Sequence, residues 1–250
     1  MATSEGFLCR FMIIVNADDW GRSRDETDAA LSCYLKGRVS SVSAMVFMED
    51  SHRAARLAKE VGLDVGLHLN FSVPFSGEGA SSHLAKFHER IVSFLRLNKY
   101  AVLIYNPFLR KLFQSVFQAQ VDEFCRLYEK SPSHFDGHQH MHLCANLLFA
   151  NLIPEGAKVR RSFSFFKGEK SLINRKYREV VDRRLASKYR LTDYFFALSQ
   201  QLQEDRLSRV AHLARTATVE LMTHPVRPEE YHFLVSDRFL ALLFSIQLSR

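Results

Sequence analysis

Glycine and proline are scarce in this chain, 10 and 6 residues in 250, which excludes collagen-like, linker-rich and low-complexity classes. The four cysteines, Cys9, Cys33, Cys125 and Cys144, are too scattered for a zinc knuckle and too few for a disulfide scaffold. That pattern predicts free thiols and a cytoplasmic protein. No apolar run is long enough for a bilayer; the C-terminal one, Phe239 to Leu248, falls well short. The N-terminus begins polar, and its first apolar run, Phe11 to Val15, leads straight into two aspartates, as a core strand does and a cleaved signal does not. No internal repeat occurs. What is present is 47% hydrophobic content over 250 residues, enough for one full core at the length typical of a single α/β barrel. One domain over residues 1–250 is expected.

The chain alternates strand and helix. After the first strand, Ser23 with Glu26 three residues on is a capping-box pattern, opening a helix that runs towards Lys36 and stops at Gly37. Val42 to Phe47 follows as a strand. Ala54, Leu57, Ala58 and Val61 recur at helical spacing from about Ser51 to Gly62, and Asp64 to Asn70 is the third strand. This βαβαβ order predicts a parallel sheet. Phe71 to His88 reads as a long loop over the strand ends, and Glu89 to Lys130 as two helical pieces broken near Asn106-Pro107. Beyond these come a short strand at His134 to Asp136, strand candidates around Lys158 to Phe166, helices over roughly Ile173 to Lys188 and Leu202 to Arg215, a strand at Thr218 to Met222, and a helix from Asp237.

Four of the strand ends carry acids or imidazoles: Asn16-Ala17-Asp18-Asp19, His68-Leu69-Asn70, Asp136-Gly137-His138-Gln139-His140-Met141-His142, and Thr223-His224-Pro225. In a parallel α/β sheet the strand ends share one face, so these groups converge although they are far apart in sequence. Each has a bland reading. An Asp pair can cap a helix, and a lone strand histidine is usually a hydrogen-bonded core residue. Their joint recurrence at one rim points instead to a hydrolytic metal site. His138, His140 and His142 alternate, which in an extended chain sets them on one side, with one of them a ligand and the others orienting it or touching substrate.

With their order and spacing, these stretches resemble the YdjC-like deacetylases, a family that includes chitooligosaccharide deacetylase and hopanoid-associated branches. The resemblance rests on Val15-Asn16-Ala17-Asp18-Asp19-Trp20-Gly21, Gly66-Leu67-His68-Leu69-Asn70, His134 through His142, and Glu220-Leu221-Met222-Thr223-His224-Pro225 followed by Phe233 to Asp237. It implies a distorted, incomplete (β/α) TIM-like barrel and metal-dependent removal of acetyl groups from N-acetylated sugars. By position in the motifs it implies Asp19, His68 and His138 as metal ligands, Asp18 as catalytic base and His224 as acid. Trp20, Asn70, His140 and His142 are expected to contact substrate. Trp20, Arg22 and Val226 stand where the family more often has phenylalanine, a small or apolar residue, and glycine, departures that bear on the substrate more than on the chemistry.

The chemistry can be argued from the residues as well. An amide resists water at neutral pH, so its hydrolysis needs an activated water, a stabilised oxyanion and a proton for the leaving amine. One carboxylate and two imidazoles suit a single divalent ion, zinc before calcium, with magnesium or manganese as alternatives where water completes the sphere. From Lys158 to Arg190 twelve Lys and Arg stand against Glu169, Glu179 and Asp182. A solvated helical face accounts for such a run. A basic rim that draws an anionic sugar conjugate, or a peripheral membrane contact, is the sharper reading. Nothing resembles a nucleic-acid module, and homo-oligomerisation is left open. The rival functions are hydrolysis of another bond, such as a phosphoester, and sugar binding without turnover.

Overall fold

A computed structural model describes residues 13–166 and 168–247. Six parallel strands, β1 (Ile13–Trp20), β2 (Ser41–Ala44), β3 (Asp64–Leu69), β4 (Phe135–Gly137), β5 (Tyr194–Ala197) and β6 (Val219–Thr223), form one sheet in the order β4-β3-β2-β1-β6-β5. The sheet curls into a half-barrel surrounded by helices, as the incomplete barrel anticipated. β1 is central, with seven of its eight residues buried, which is why it carries no alternation of polar and apolar residues.

The helices are α1 (Arg24–Leu35), α2 (Ser51–Val61), α3 (Ser82–Arg96), α4 (Arg110–Tyr128), α5 (Ala145–Ala150), α6 (Leu172–Ala186), α7 (Leu198–Gln201), α8 (Glu204–Leu213), α9 (Pro228–Leu234) and α10 (Asp237–Gln247). Local chemistry explains several boundaries. Ser23 Oγ accepts the Glu26 N–H to start α1, and α2 ends at Gly62, whose φ of 68° suits a residue without a side chain. The loop after β3 is shorter than expected. Ser81 Oγ accepts the Leu84 N–H, so α3 begins at Ser82 and takes in His83 and Phe87.

One further expectation is corrected. Lys158 to Phe166 forms no regular strand; its extended part makes isolated bridges, Val159 to Phe135 and Lys158 to Arg190, while the Ser164 N–H donates to Phe195 O. It thereby spans the gap between the edge strands β4 and β5. The strand of this region is β5, whose four residues are too few to show a period. Cys33, Cys125 and Cys144 are free thiols, and burial pushes Cys33 up to about 11 and Cys144 up to about 12, so both stay protonated. Cys9 lies outside the described residues. No described helix is long and apolar enough to cross a membrane.

Candidate active site

The two aspartates reach the rim together because β1 is irregular there. Ala17 pairs with Val42 and Trp20 with Ala44, so β1 has one residue more than β2 across this interval, and Asp19 takes a left-handed φ of 66°. Regular pleating would send neighbouring side chains to opposite faces; the bulge re-aims them. Asp19 Oδ1 lies 2.8 Å from His138 Nδ1 and 3.3 Å from His68 Nε2, while its Oδ2 accepts from Arg22 at 3.1 Å. One donor atom each from Asp19, His68 and His138 thus falls within 4.8 Å of the others.

His68 is oriented from behind. Its register partner on β4 is Asp136, whose Oδ1 accepts the Nδ1–H at 2.8 Å. Asp136 Oδ2 in turn accepts from Ser43 Oγ at 2.7 Å. That arrangement turns Nε2 towards the two aspartates, where it is buried without a hydrogen bond, as a metal-ligating imidazole requires.

Behind the aspartates lies Arg160, fully buried. Its Nη1 and Nη2 donate to Asp18 at 2.7 Å each, Nη2 also meets Asp136 at 2.7 Å, and Nε donates to Glu220 at 2.6 Å. The guanidinium carbon stands 4.9 Å from the centre of the Phe195 ring. Burial works to raise the Asp18 carboxyl, but the charges of Arg160 and His68 and the hydrogen bonds from Arg160 together outweigh it and hold Asp18 below the ordinary range. Three carboxylates, Asp18, Asp136 and Glu220, therefore share one buried cation, and Asp19 adds a fourth negative group beside them. For His68, burial works downward, yet the Asp136 and Asp18 charges outweigh it and hold the imidazole up at about 10. The cluster as it stands calls for further positive charge, from a proton or from a divalent ion at Asp19, His68 and His138, so the donor set and its electrostatics fit a metal. The second acidic group, Asp18, His68 and Asp136, fits one less well, because Arg160 already occupies both of its carboxylates.

His224, after β6, closes the opposite side with Nε2 4.0 Å from Asp19 Oδ2 and Nδ1 unbonded. Buried Glu230 fixes that corner by accepting from Thr223 Oγ1 and the His224 N–H, both at 2.8 Å. Asp18, Asp19, His68, His138, His140 and His224 all line one cavity of about 410 Å³.

The alternating histidines do not lie along an extended chain. His138–Leu143 is a tight 3₁₀ turn in which Gln139 and His140 take φ of 52° and 58°. Non-glycine residues of that kind are strained and are tolerated where the surroundings enforce them. Gly137 precedes them because a Cβ there would come within 2.9 Å of the His142 N atom. The turn separates the three rings. His138 faces Asp19, and His140 faces the cavity with its ring 4.4 Å from that of Phe163. His142 is buried with its Nε2 on Arg160 O, anchoring the arginine's backbone. Trp20 is fully buried, and Asn70 is used up locally, accepting from Ser72 and Val73 N–H groups and donating to Val73 O. The structure therefore brings His140 to the cavity and places Trp20, Asn70 and His142 behind it.

Three participants were not singled out from sequence: Asp136, Arg160 and Glu220. Asp136 had a signal, being the lone charge on the short strand that leads into His138. Glu220 had one as well, being the lone charge in the buried run Val219–Thr223. Arg160 was one basic residue among twelve. Burial raises Glu220 to about 7 against the pull of Arg160. A folded-state value above the unfolded one (4.5) means that native protein without a bound metal ion holds this proton more tightly. The associated stability is complete below that ordinary value and lost as pH rises through about 7. We expect Glu220→Gln, which keeps an acceptor for Arg160 Nε, to gain stability relative to the parent as pH rises through that window. Denaturant titrations at several pH values check this; a constant difference would show that Glu220 does not titrate there.

Fold and site together define an α/β half-barrel protein with a buried Asp/His centre at the C-terminal ends of its strands. The chain belongs to the YdjC-like protein family, whose model matches residues 12–244. It is similar to a carbohydrate deacetylase of Vibrio cholerae (29% identity, covering 92% of this chain and 90% of that one) and to a chitooligosaccharide deacetylase of Proteus mirabilis (28%, covering 86% and 81%). A carbohydrate deacetylase of Danio rerio is 29% identical over 57% of this chain, a match that spans 46% of the relative, about half its length. Among solved structures, a candidate cellobiose-phosphate cleavage protein of Enterococcus faecalis V583 shares the fold, with a TM-score of 0.64 over 94% of both chains at 14% identity.

Proposed function

We propose that the protein is a metal-dependent carbohydrate N-deacetylase, which hydrolyses the acetamide of an N-acetylated sugar to an amino sugar and acetate. The observation that carries this reading is the convergence of the Asp19, His68 and His138 donor atoms beside Asp18 and His224 in one cavity. The deacetylase names of relatives that align over most of the chain support it. Asp19, His68 and His138 would hold the ion, zinc first and magnesium or manganese as alternatives. When bound it supplies Lewis acidity for the acetamide carbonyl and the attacking water.

The chain's own residues do the rest. Asp18, kept ionised by Arg160, accepts the proton of the attacking water. His224, across the cavity, protonates the departing amine, without which the tetrahedral adduct would collapse back to amide and water. Burial pushes His140 down to about 3, so it meets substrate as a neutral hydrogen-bonding group, with Phe163 beside it as an apolar wall for a pyranose ring. A second cavity of about 780 Å³ shares Phe163 with the first and is lined by Arg161, Arg175, Arg178 and Arg183 against Glu179, Asp182 and Asp193, which leaves it net positive by one charge. It supports a preference for anionic acetamido-sugar conjugates, which salt would weaken.

The test is to load the protein with a divalent ion and offer neutral acetamido sugars, anionic conjugates and phosphoesters. Free acetate with an amino sugar is expected; phosphate release without acetate from any acetamido sugar would overturn the reading. Ligand assignment is tested separately. His68→Ala and His138→Ala should each remove the ion along with activity, and elemental analysis showing stoichiometric metal in both variants would reject it.

A further inference from the structure

Eleven of the fourteen large apolar side chains exposed among the described residues fall in three segments: 97–108, Phe149 of α5, and the first half of α6. Chance scatter would not gather them so, and contiguous exposed apolar area marks an interaction surface. The segments are joined. Ile173, Tyr177, Val180 and Arg184 follow one another along a single face of α6. At its end the Arg184 guanidinium lies 4.8 Å from the Phe149 ring centre, and its Nε donates to Leu148 O. Phe149 meets the Tyr105 ring at 5.9 Å, and Asn106 is hydrogen-bonded to Asn146 of α5. Helix, ring and loop thus form one continuous face. Its most exposed side chains are Phe108 at 87% and Ile173 at 84%, followed by Leu97 and Leu172 at 73% and Val180 at 63%.

The charge around this face is net positive. Residues 96–111 contain Arg96, Lys99, Arg110 and Lys111 and no carboxylate. On α6, Glu179 is taken up by Lys176 and Arg183, and Asp182 by Arg161, which leaves Arg175 and Arg184 without an acidic partner among the described residues. A two-fold dimer through this face would set each copy's cations against the same cations of the other, since such an interface is self-complementary. Protruding aliphatic and aromatic tips ringed by Arg and Lys are what an anionic bilayer surface accepts: the tips enter the headgroup boundary while the cations meet lipid phosphates. We propose that the face formed by residues 97–108, Phe149 and α6 docks the protein on anionic lipid membranes.

The experiment is co-sedimentation of the full chain with vesicles of phosphatidylcholine containing roughly one third phosphatidylglycerol, and with phosphatidylcholine alone, alongside light scattering of the free protein. Ile173→Glu/Val180→Glu and Phe108→Glu are the variants. These side chains are exposed, so thermal melts should match the parent. We expect binding to the anionic vesicles only, reduced at least ~10-fold in the helix double variant and fading towards ~1 M salt, where charges are screened within about 3 Å. Absence of binding by the parent, or equal binding by parent and variants, overturns the proposal. So does a parent dimer that the variants dissociate without any lipid binding, which would assign the face to a second copy of the chain.

Discussion

Arg160→Met should destabilise the protein by several kcal/mol, on the order of 3–5, because the methionine fills the volume but leaves Asp18, Asp136 and Glu220 buried around an absent cation. For a chain of this size that corresponds to a fall in melting temperature of roughly 10 °C. The size of the loss carries a pH signature. Uncompensated carboxylates regain neutrality by protonation, so the deficit should shrink as pH is lowered and grow as it is raised. Arg160→Lys should recover little, since an ammonium is a point charge and cannot present the fork that serves three carboxylates at once. Thermal melts at several pH values decide the matter, and a variant with the parent's midpoint would mean that the arginine is not what holds this cluster.

Asp18→Asn should lower kcat by at least ~100-fold while the divalent ion and the fold are retained. The isosteric amide cannot take a proton from water. It keeps one acceptor for Arg160, which also remains paired with Asp136 and Glu220, so the structural cost is smaller than that of losing the arginine. Stoichiometric metal in an inactive variant would separate the neighbouring aspartates by role, Asp19 to binding and Asp18 to chemistry. A near-normal kcat would remove Asp18 from the mechanism.

What could be read along the chain was local. Ser23 with Glu26 and the periodic alanines of α2 mark helices through contacts three and four residues apart. The buried apolar runs of β1, β3 and β6 mark central strands, and each ends in the residues that now meet at the rim. β5 escaped notice because its pairing with β6, rather than its own four residues, makes it a strand. The assumption that His138, His140 and His142 share a side failed for a related reason. The local alternation is compatible with a strand, but the chain turns through two left-handed residues, held there by the packing of Gly137 against His142 and by the bond from His142 to Arg160 O.

By itself the sequence determined the alternation of strand and helix, hence a parallel sheet, and the placing of acids and imidazoles at the C-terminal ends of strands, hence their meeting on one face. These follow from chirality and from side-chain periods of 2 and 3.6, which act over a few residues. Only the tertiary structure decided which of these groups look into the cavity and which stand behind it. The bulge at Asp18-Asp19 depends on register with β2, and the partnership of His68 with Asp136 on the alignment of β3 with β4. The site's fixed cation comes from an irregular segment that owes its position to β4 and β5 on either side. Arg160 and Asp18 are separated by 142 residues, and no local pattern encodes a contact whose energy exists only once water has been excluded from around both charges.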